Sequence, residues 1–230
     1  MAKTIPEFPA RFDVGAFLSR EAHDLRAPFN HIVGFSRIVL KGQEGPLTDF
    51  QREDLTTVYN SGVRALFLIN SLIEIARISQ GEKELSLVET EVTPFIEDAV
   101  AYWKRNNSAK DVQIEIETSV ASPTMWADET QLRQVIASLV SYVVEYIQDA
   151  AKVILTMTEE LEWLVTTIQS VGQKTSSQSA LDLEMLGYIS RAYIEQHGGK
   201  IRMQEESDAG AIVCFALPKR SGAELPASGM

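Results

Sequence analysis

The stretch Ala22-His23-Asp24-Leu25-Arg26-Ala27-Pro28-Phe29-Asn30 sets an imidazole, a carboxylate and a guanidinium within one turn of a helix-patterned segment. Near pH 7 a neutral imidazole keeps a lone pair on one ring nitrogen and can attack a phosphoryl group. Asp24 can accept a hydrogen bond from the other ring nitrogen and so fix the tautomer, or it can take a proton. Arg26 offers positive charge and N–H donors to a phosphate oxygen. Pro28 lacks the amide hydrogen that would bond the carbonyl of Asp24, so a bend one turn past His23 is expected. Taken alone, a helical histidine is more often an ordinary surface residue. The elements around it must decide.

Those elements begin with two long amphipathic helices. Apolar residues recur at helical spacing from about Val14 to Leu40, through Phe17, Leu18, Leu25, Phe29, Ile32, Val33, Ile38 and Val39. The turn-rich run Lys41-Gly42-Gln43-Glu44-Gly45-Pro46 ends that helix, and Thr48-Asp49 opens a second one that runs to about Ser79 and stops at Gly81. An antiparallel hairpin of this kind leaves half its apolar stripe uncovered, so pairing with a second copy into a four-helix bundle is expected, making the protein a homodimer. From about Leu85 the pattern becomes mixed. Helices are expected from Thr93-Pro94 to about Asn107, from Asp128 to about Asp149 and from Leu181 to about Gln196. Strands are expected at Val112–Ile116, Val153–Leu155 and Leu164–Ile168, with a closing hairpin of 200–206 and 211–217 around Ser207-Asp208-Ala209-Gly210. The fold class is therefore α+β: a helical hairpin over 14–84, then one antiparallel-rich sheet covered by helices over 85–218. Residues 1–13 read as an N-terminal arm and 219–230 as a flexible tail.

Composition narrows the partners. The 230 residues carry 21 Lys+Arg against 32 Asp+Glu, a formal charge of −11, with 45% hydrophobic and 23% charged residues. That balance fits a chain with a packed core and disfavours polyphosphate backbones, so no nucleic acid is expected as a partner. A nucleotide such as ATP would need a dedicated local site to overcome the field. The lone Cys214 excludes an internal disulfide and a cysteine-rich zinc site. No apolar run reaches membrane-spanning length, and a cytoplasmic location with no membrane segment in this chain is expected.

The His23 stretch closely resembles the H-box of sensor histidine kinases, a His-acid-x-Arg-x-Pro run on the first bundle helix. The resemblance continues through Gly34-Phe35-Ser36, Gly45-Pro46-Leu47-Thr48, Leu68-Ile69-Asn70-Ser71-Leu72 and Ala76-Arg77-Ile78. In the second half, Trp126-Ala127-Asp128 with Gln131-Leu132-Arg133-Gln134-Val135 resembles the start of the family's ATP-binding helix, and His197-Gly198-Gly199-Lys200-Ile201 resembles its final turn and strand. The match covers most of residues 15–218. It implies a phosphoacceptor hairpin followed by an α/β sandwich of the GHKL, or Bergerat, type. By resemblance His23 is the phosphoacceptor, Asp24 its acid/base or tautomer partner, and Arg26 the electrostatic partner of the phosphate.

The ATP-binding motifs depart from the family pattern. The two asparagine positions that approach phosphate and Mg²⁺ fall on Ser138 and Tyr142, and residues 130–144 contain no carboxylate to replace the helix glutamate. A phenol is a poor substitute for a carboxamide at Mg²⁺. The adenine-reading aspartate has no counterpart between Trp163 and Leu181, where Gln169-Ser170-Val171-Gly172-Gln173-Lys174 stands and only about a dozen residues remain for a lid. The phosphate-cradling glycine run at a helix start corresponds to Asp182-Leu183-Glu184-Met185-Leu186-Gly187, with two acids where a triphosphate needs positive potential. Acids in a first helical turn have an ordinary role with the dipole instead. Ala27, one turn after His23, replaces the Thr or Asn that would orient a dephosphorylating water.

These departures lead to the expectation of a histidine-kinase-like phosphotransferase that binds no ATP and needs no resident cofactor or metal. It would exchange a phosphoryl group between His23 and the aspartate of a response-regulator receiver domain, which brings its own Mg²⁺. A non-catalytic pseudokinase adaptor that holds a receiver or another histidine kinase is the first alternative. An active ATP-dependent kinase with an atypical site is the second. Among other residues, His31 is expected at the surface or bundle edge, and His197 is expected to be structural at a helix C-terminus, where a protonatable ring suits the dipole. Trp103, Trp126 and Trp163 are expected in the core or an interface, and Tyr142 and Tyr146 in the space a nucleotide would use.

Overall fold

The computed structural model describes residues 13–42, 45–82, 84–107, 112–119, 124–145, 152–172, 180–206 and 210–219. Residues 1–12 of the expected N-terminal arm, the tail from 220, Tyr146, Gln173 and Lys174, and residues 207–209, where the hairpin turn is expected, lie outside them. The chain divides into two compact units, Met1–Lys83 and Glu84–Met230.

The first unit is helical: α1 (Val14–Arg20), α2 (Ala22–Leu40) and α3 (Asp49–Ser79). The start of α3 is fixed by a capping box. Thr48 Oγ1 accepts the Gln51 amide at 3.2 Å, and the Gln51 side chain accepts the Thr48 amide at 3.0 Å. Its end is set by Gly81, whose φ of +65° closes the last turn. Helices α2 and α3 pack closely at Gly62, where an added Cβ would stand 2.9 Å from Val33 Cγ2. The single helix expected over 14–40 is in fact two, interrupted at Glu21 (φ −88°, ψ 12°) just before His23. Helix α2 then runs unbroken through Pro28. A long helix absorbs the one hydrogen bond that Pro28 removes.

The second unit contains β1 (Val88–Glu91), α4 (Val92–Asn106), β2 (Gln113–Thr118), β3 (Thr124–Ala127), α5 (Glu129–Glu145), β4 (Lys152–Glu160), β5 (Trp163–Val171), α6 (Ala180–Gln196), β6 (Lys200–Glu206) and β7 (Gly210–Pro218). A five-stranded sheet runs in the order β2-β4-β5-β7-β6, with only β2–β4 parallel. A second sheet, absent from the expected single sheet, pairs β1 with β3 antiparallel. One face of the large sheet is apolar: Val153, Leu155 and Met157 lie beside Ile168, Val213 and Phe215, all fully or almost fully buried. Leu132, Val135, Ile136, Leu139, Val140 and Val143 recur at helical spacing on α5, and each is at most 2% exposed. Each such burial is worth about 1.5–3 kcal/mol before entropy is counted. That layer fixes which faces of α5 remain for other work.

Candidate functional site

His23 lies in the first turn of α2 with 94% of its side chain exposed. Its Nδ1 is 3.2 Å from Asp24 Oδ1, and Asp24 is itself 82% exposed. When Nδ1 carries the ring proton and donates it to the carboxylate, the lone pair stands on Nε2. Arg26 follows three residues later, hence on the same helical face. Its Nε donates to Asn70 Oδ1 of α3 at 2.6 Å. The structure therefore brings His23 and Asp24 into contact and ties Arg26 to the opposite helix. Asn70 was invisible as a site residue in the sequence; the available signal was an amide interrupting the apolar run Leu66–Ile73 of α3. His31 is exposed, with its ring centroid 6.3 Å from that of Phe35.

In the second unit the four motif positions fall on two helices. Ser138 is half-buried and Tyr142 almost fully buried on α5, one turn apart. Asp182 is half-buried in the first turn of α6, and Glu184 is exposed one residue beyond that turn. Eight residues, 172–179, separate β5 from α6, fewer than the dozen expected. Among the described residues no group of three His, Cys, Asp or Glu side chains gathers as a metal set. Trp103 and Trp163 are buried, with Trp103 Nε1 donating to Ser141 Oγ at 2.8 Å, whereas Trp126 is 43% exposed on β3.

His197 is structural at the end of α6, as expected, but it acts there as a hydrogen-bond acceptor and not as a cation. It is buried, its Nδ1 lies 2.7 Å from the carbonyl of Tyr193, and its Nε2 accepts the backbone N–H of Asp128 at 3.1 Å. The tautomer that satisfies both contacts is neutral, with the proton on Nδ1. Burial pushes the ring's pKa below its usual value, and the nearby Asp128 carboxylate only partly opposes this. His197 is thus a neutral clasp between the end of α6 and the start of α5. Asp128 completes the junction: Oδ1 caps α5 through the Gln131 amide at 3.0 Å, and Oδ2 accepts the Ser86 amide at 3.1 Å. Gly198, at φ +75°, closes α6 beside the clasp.

Residues 13–81 match the His Kinase A (phospho-acceptor) domain. Beyond that domain, the chain is similar over most of its length to histidine kinases. It is 22% identical over 227 residues to the circadian input-output histidine kinase CikA of Synechococcus elongatus, a match covering 90% of this chain and 30% of that protein. Its fold is similar to that of full-length ShkA solved in complex with AMPPNP, at a TM-score of 0.69 and 24% identity over 92% of this chain and 47% of that one. It is also similar to the histidine kinase ThkA solved with the response regulator TrrA, at a TM-score of 0.57 and 19% identity over 90% of this chain and 62% of that one. The chain spans no more than 30% of the length of the first curated relatives it matches. Among the described residues no helix is long and apolar enough to cross a membrane.

Proposed function

We propose that this histidine kinase relative passes a phosphoryl group between His23 and an aspartate of a response-regulator receiver domain, without binding ATP in its own α/β unit. The observation that carries the reading is the almost complete exposure of His23, with Asp24 at Nδ1 and Nε2 left as the nucleophile. Nε2 attacks the phosphorus of an aspartyl phosphate, the P–N bond forms as the P–O bond breaks, and the aspartate leaves as a carboxylate. The proton on Nδ1 is accepted by Asp24, and the reverse path returns the phosphoryl group to the receiver. The receiver supplies the Mg²⁺ for this acyl phosphate. A docked receiver on a related kinase, TrrA on ThkA, supports the partner class.

The homodimer belongs to the same reading. Ile32, Phe35 and Ile38 of α2 and Val58 and Val63 of α3 are large apolar residues left exposed on the hairpin, and a second copy would cover them as a four-helix bundle.

A nucleotide does not fit the groups present. Tyr142 buries its ring where the resemblance implies a carboxamide, and Asp182 puts a carboxylate in the first turn of α6, where a triphosphate needs positive potential. The second reading, an ATP-dependent kinase, draws its support from the AMPPNP complex of ShkA. The test is transfer from a phosphorylated receiver to the wild type and to His23→Ala. Acid-labile phosphate on the wild type and none on the variant is expected; equal labelling of both refutes the assignment of His23. A stable receiver complex with His23→Ala and no phosphohistidine in the wild type favours the adaptor instead.

A further inference from the structure

We propose that Asn70 is a positioning residue that holds Arg26 for the phosphoryl group while leaving its charge intact; this rests on the reading of His23 as the phosphoacceptor. Arg26 reaches across the hairpin from α2, and its Nε donates to Asn70 Oδ1 at 2.6 Å, at the short end for such a bond. A guanidinium is a planar fork with five N–H donors, and this contact uses only the Nε edge. Anchoring that edge fixes the plane of the fork and removes part of the side-chain entropy that would oppose its closing on a phosphate oxygen.

The chemistry of the anchor matters as much as its position. Elsewhere in the chain cations meet carboxylates: Arg133 pairs with Asp98 at 2.7 Å, Lys152 with Glu115 at 2.7 Å and Arg20 with Glu21 at 2.6 Å. At the face that carries His23 the anchor is a neutral amide. A carboxylate at position 70 would hold Arg26 more tightly but would cancel its charge and repel a group that carries about −1.5 to −2 once transferred. A purely structural tether would favour the carboxylate, because a bond between two opposite charges is stronger than one between a cation and a neutral amide. The amide is the choice that keeps a positioned cation one turn from the ring without itself adding a negative charge.

The two substitutions at position 70 separate these roles. His23 is loaded with phosphoramidate, a small donor: Nε2 attacks phosphorus, the P–N bond to nitrogen breaks and ammonia leaves with a proton. The rate of phosphohistidine formation is then followed by ³¹P NMR in the full chain, with thermal midpoints as the folding control. Asn70→Ala should slow loading by about tenfold, the equivalent of one hydrogen bond to a charged group. Asn70→Asp should keep or raise the thermal midpoint yet slow loading at least as much. The double variant Arg26→Ala/Asn70→Ala should be no slower than Arg26→Ala alone, since the two residues act as one unit. Loading by Asn70→Ala and Asn70→Asp within twofold of the wild type, while Arg26→Ala is slow, overturns the role of Asn70 and leaves His23 standing. An Asn70→Asp variant that loads as fast as the wild type overturns the charge argument. A wild type that forms no phosphohistidine overturns this proposal together with the reading of His23.

Discussion

The two units of the molecule deploy their polar groups in opposite ways. In the helical hairpin the reactive residues stand in solvent: His23 and Asp24 are both largely exposed and contact each other, and Arg26 is reached from the facing helix by an amide. In the α/β unit the comparable groups are committed to the fold. His197 and Asp128 clasp α6, α5 and the segment before β1. Ser170 and Ala211 bond reciprocally between β5 and β7, Oγ to carbonyl at 3.2 Å and amide to Oγ at 2.8 Å. The lesson concerns reactivity. A group whose donors and acceptors are all satisfied internally adds cohesion, whereas one held by a single loose contact can meet a substrate.

The largest contrast to break is in nucleotide binding. A fluorescent ATP analogue with Mg²⁺ should show no saturable binding in the micromolar range, and saturable binding there would place the second unit with the ATP-dependent kinases. Next in size is the core. Leu139→Ala, fully buried on α5, should cost about 2–5 kcal/mol in denaturant unfolding. If the first unit carries the reaction by itself, phosphorylation of His23 by a small donor should survive conditions that melt the second unit.

The His197 clasp gives a pH signature. Its pKa is lowered on folding, so the folded state binds fewer protons than the unfolded chain below the ordinary value of 6.5. Its stabilising contribution is present above pH 6.5 and should fall as the pH drops from there through the depressed folded pKa. His197→Gln should flatten that part of the unfolding profile; an unchanged slope contradicts the clasp. The smallest effect is expected at the hairpin. Thr48→Ala removes one arm of the α3 capping box and should cost about 1 kcal/mol, read as a lowered denaturation midpoint of the first unit.

Much of this architecture is written in local sequence pattern, and the exceptions have physical reasons. The apolar spacing of α5, the Thr48 cap and the Gly81 stop are short-range signals, and the structure matches them almost residue for residue. The break at Glu21 has no such signal, since the apolar period passes through it. Strands β1 and β3 have four residues each, Val-Glu-Thr-Glu and Thr-Met-Trp-Ala, too short for alternation to stand out from the helices that follow. The candidate site divides the same way. His23, Asp24 and Arg26 are adjacent in sequence and could be found together, whereas Asn70 is 44 residues from Arg26 and only the packing of α2 on α3 joins them. The structural place of His197 at a helix C-terminus is legible in the same way, but its acceptor role is not, because the Asp128 amide that it accepts is 69 residues away.

The most direct test of the central claim is a nucleotide-free transfer. A receiver domain phosphorylated on its aspartate is freed of all nucleotide, mixed with the full chain and Mg²⁺, and followed by ³¹P NMR. A phosphohistidine signal growing as the aspartyl phosphate decays, mapped to His23 by its loss in His23→Ala, is the predicted result. Phosphohistidine that forms only when ATP is added, with none from the receiver, would contradict the account.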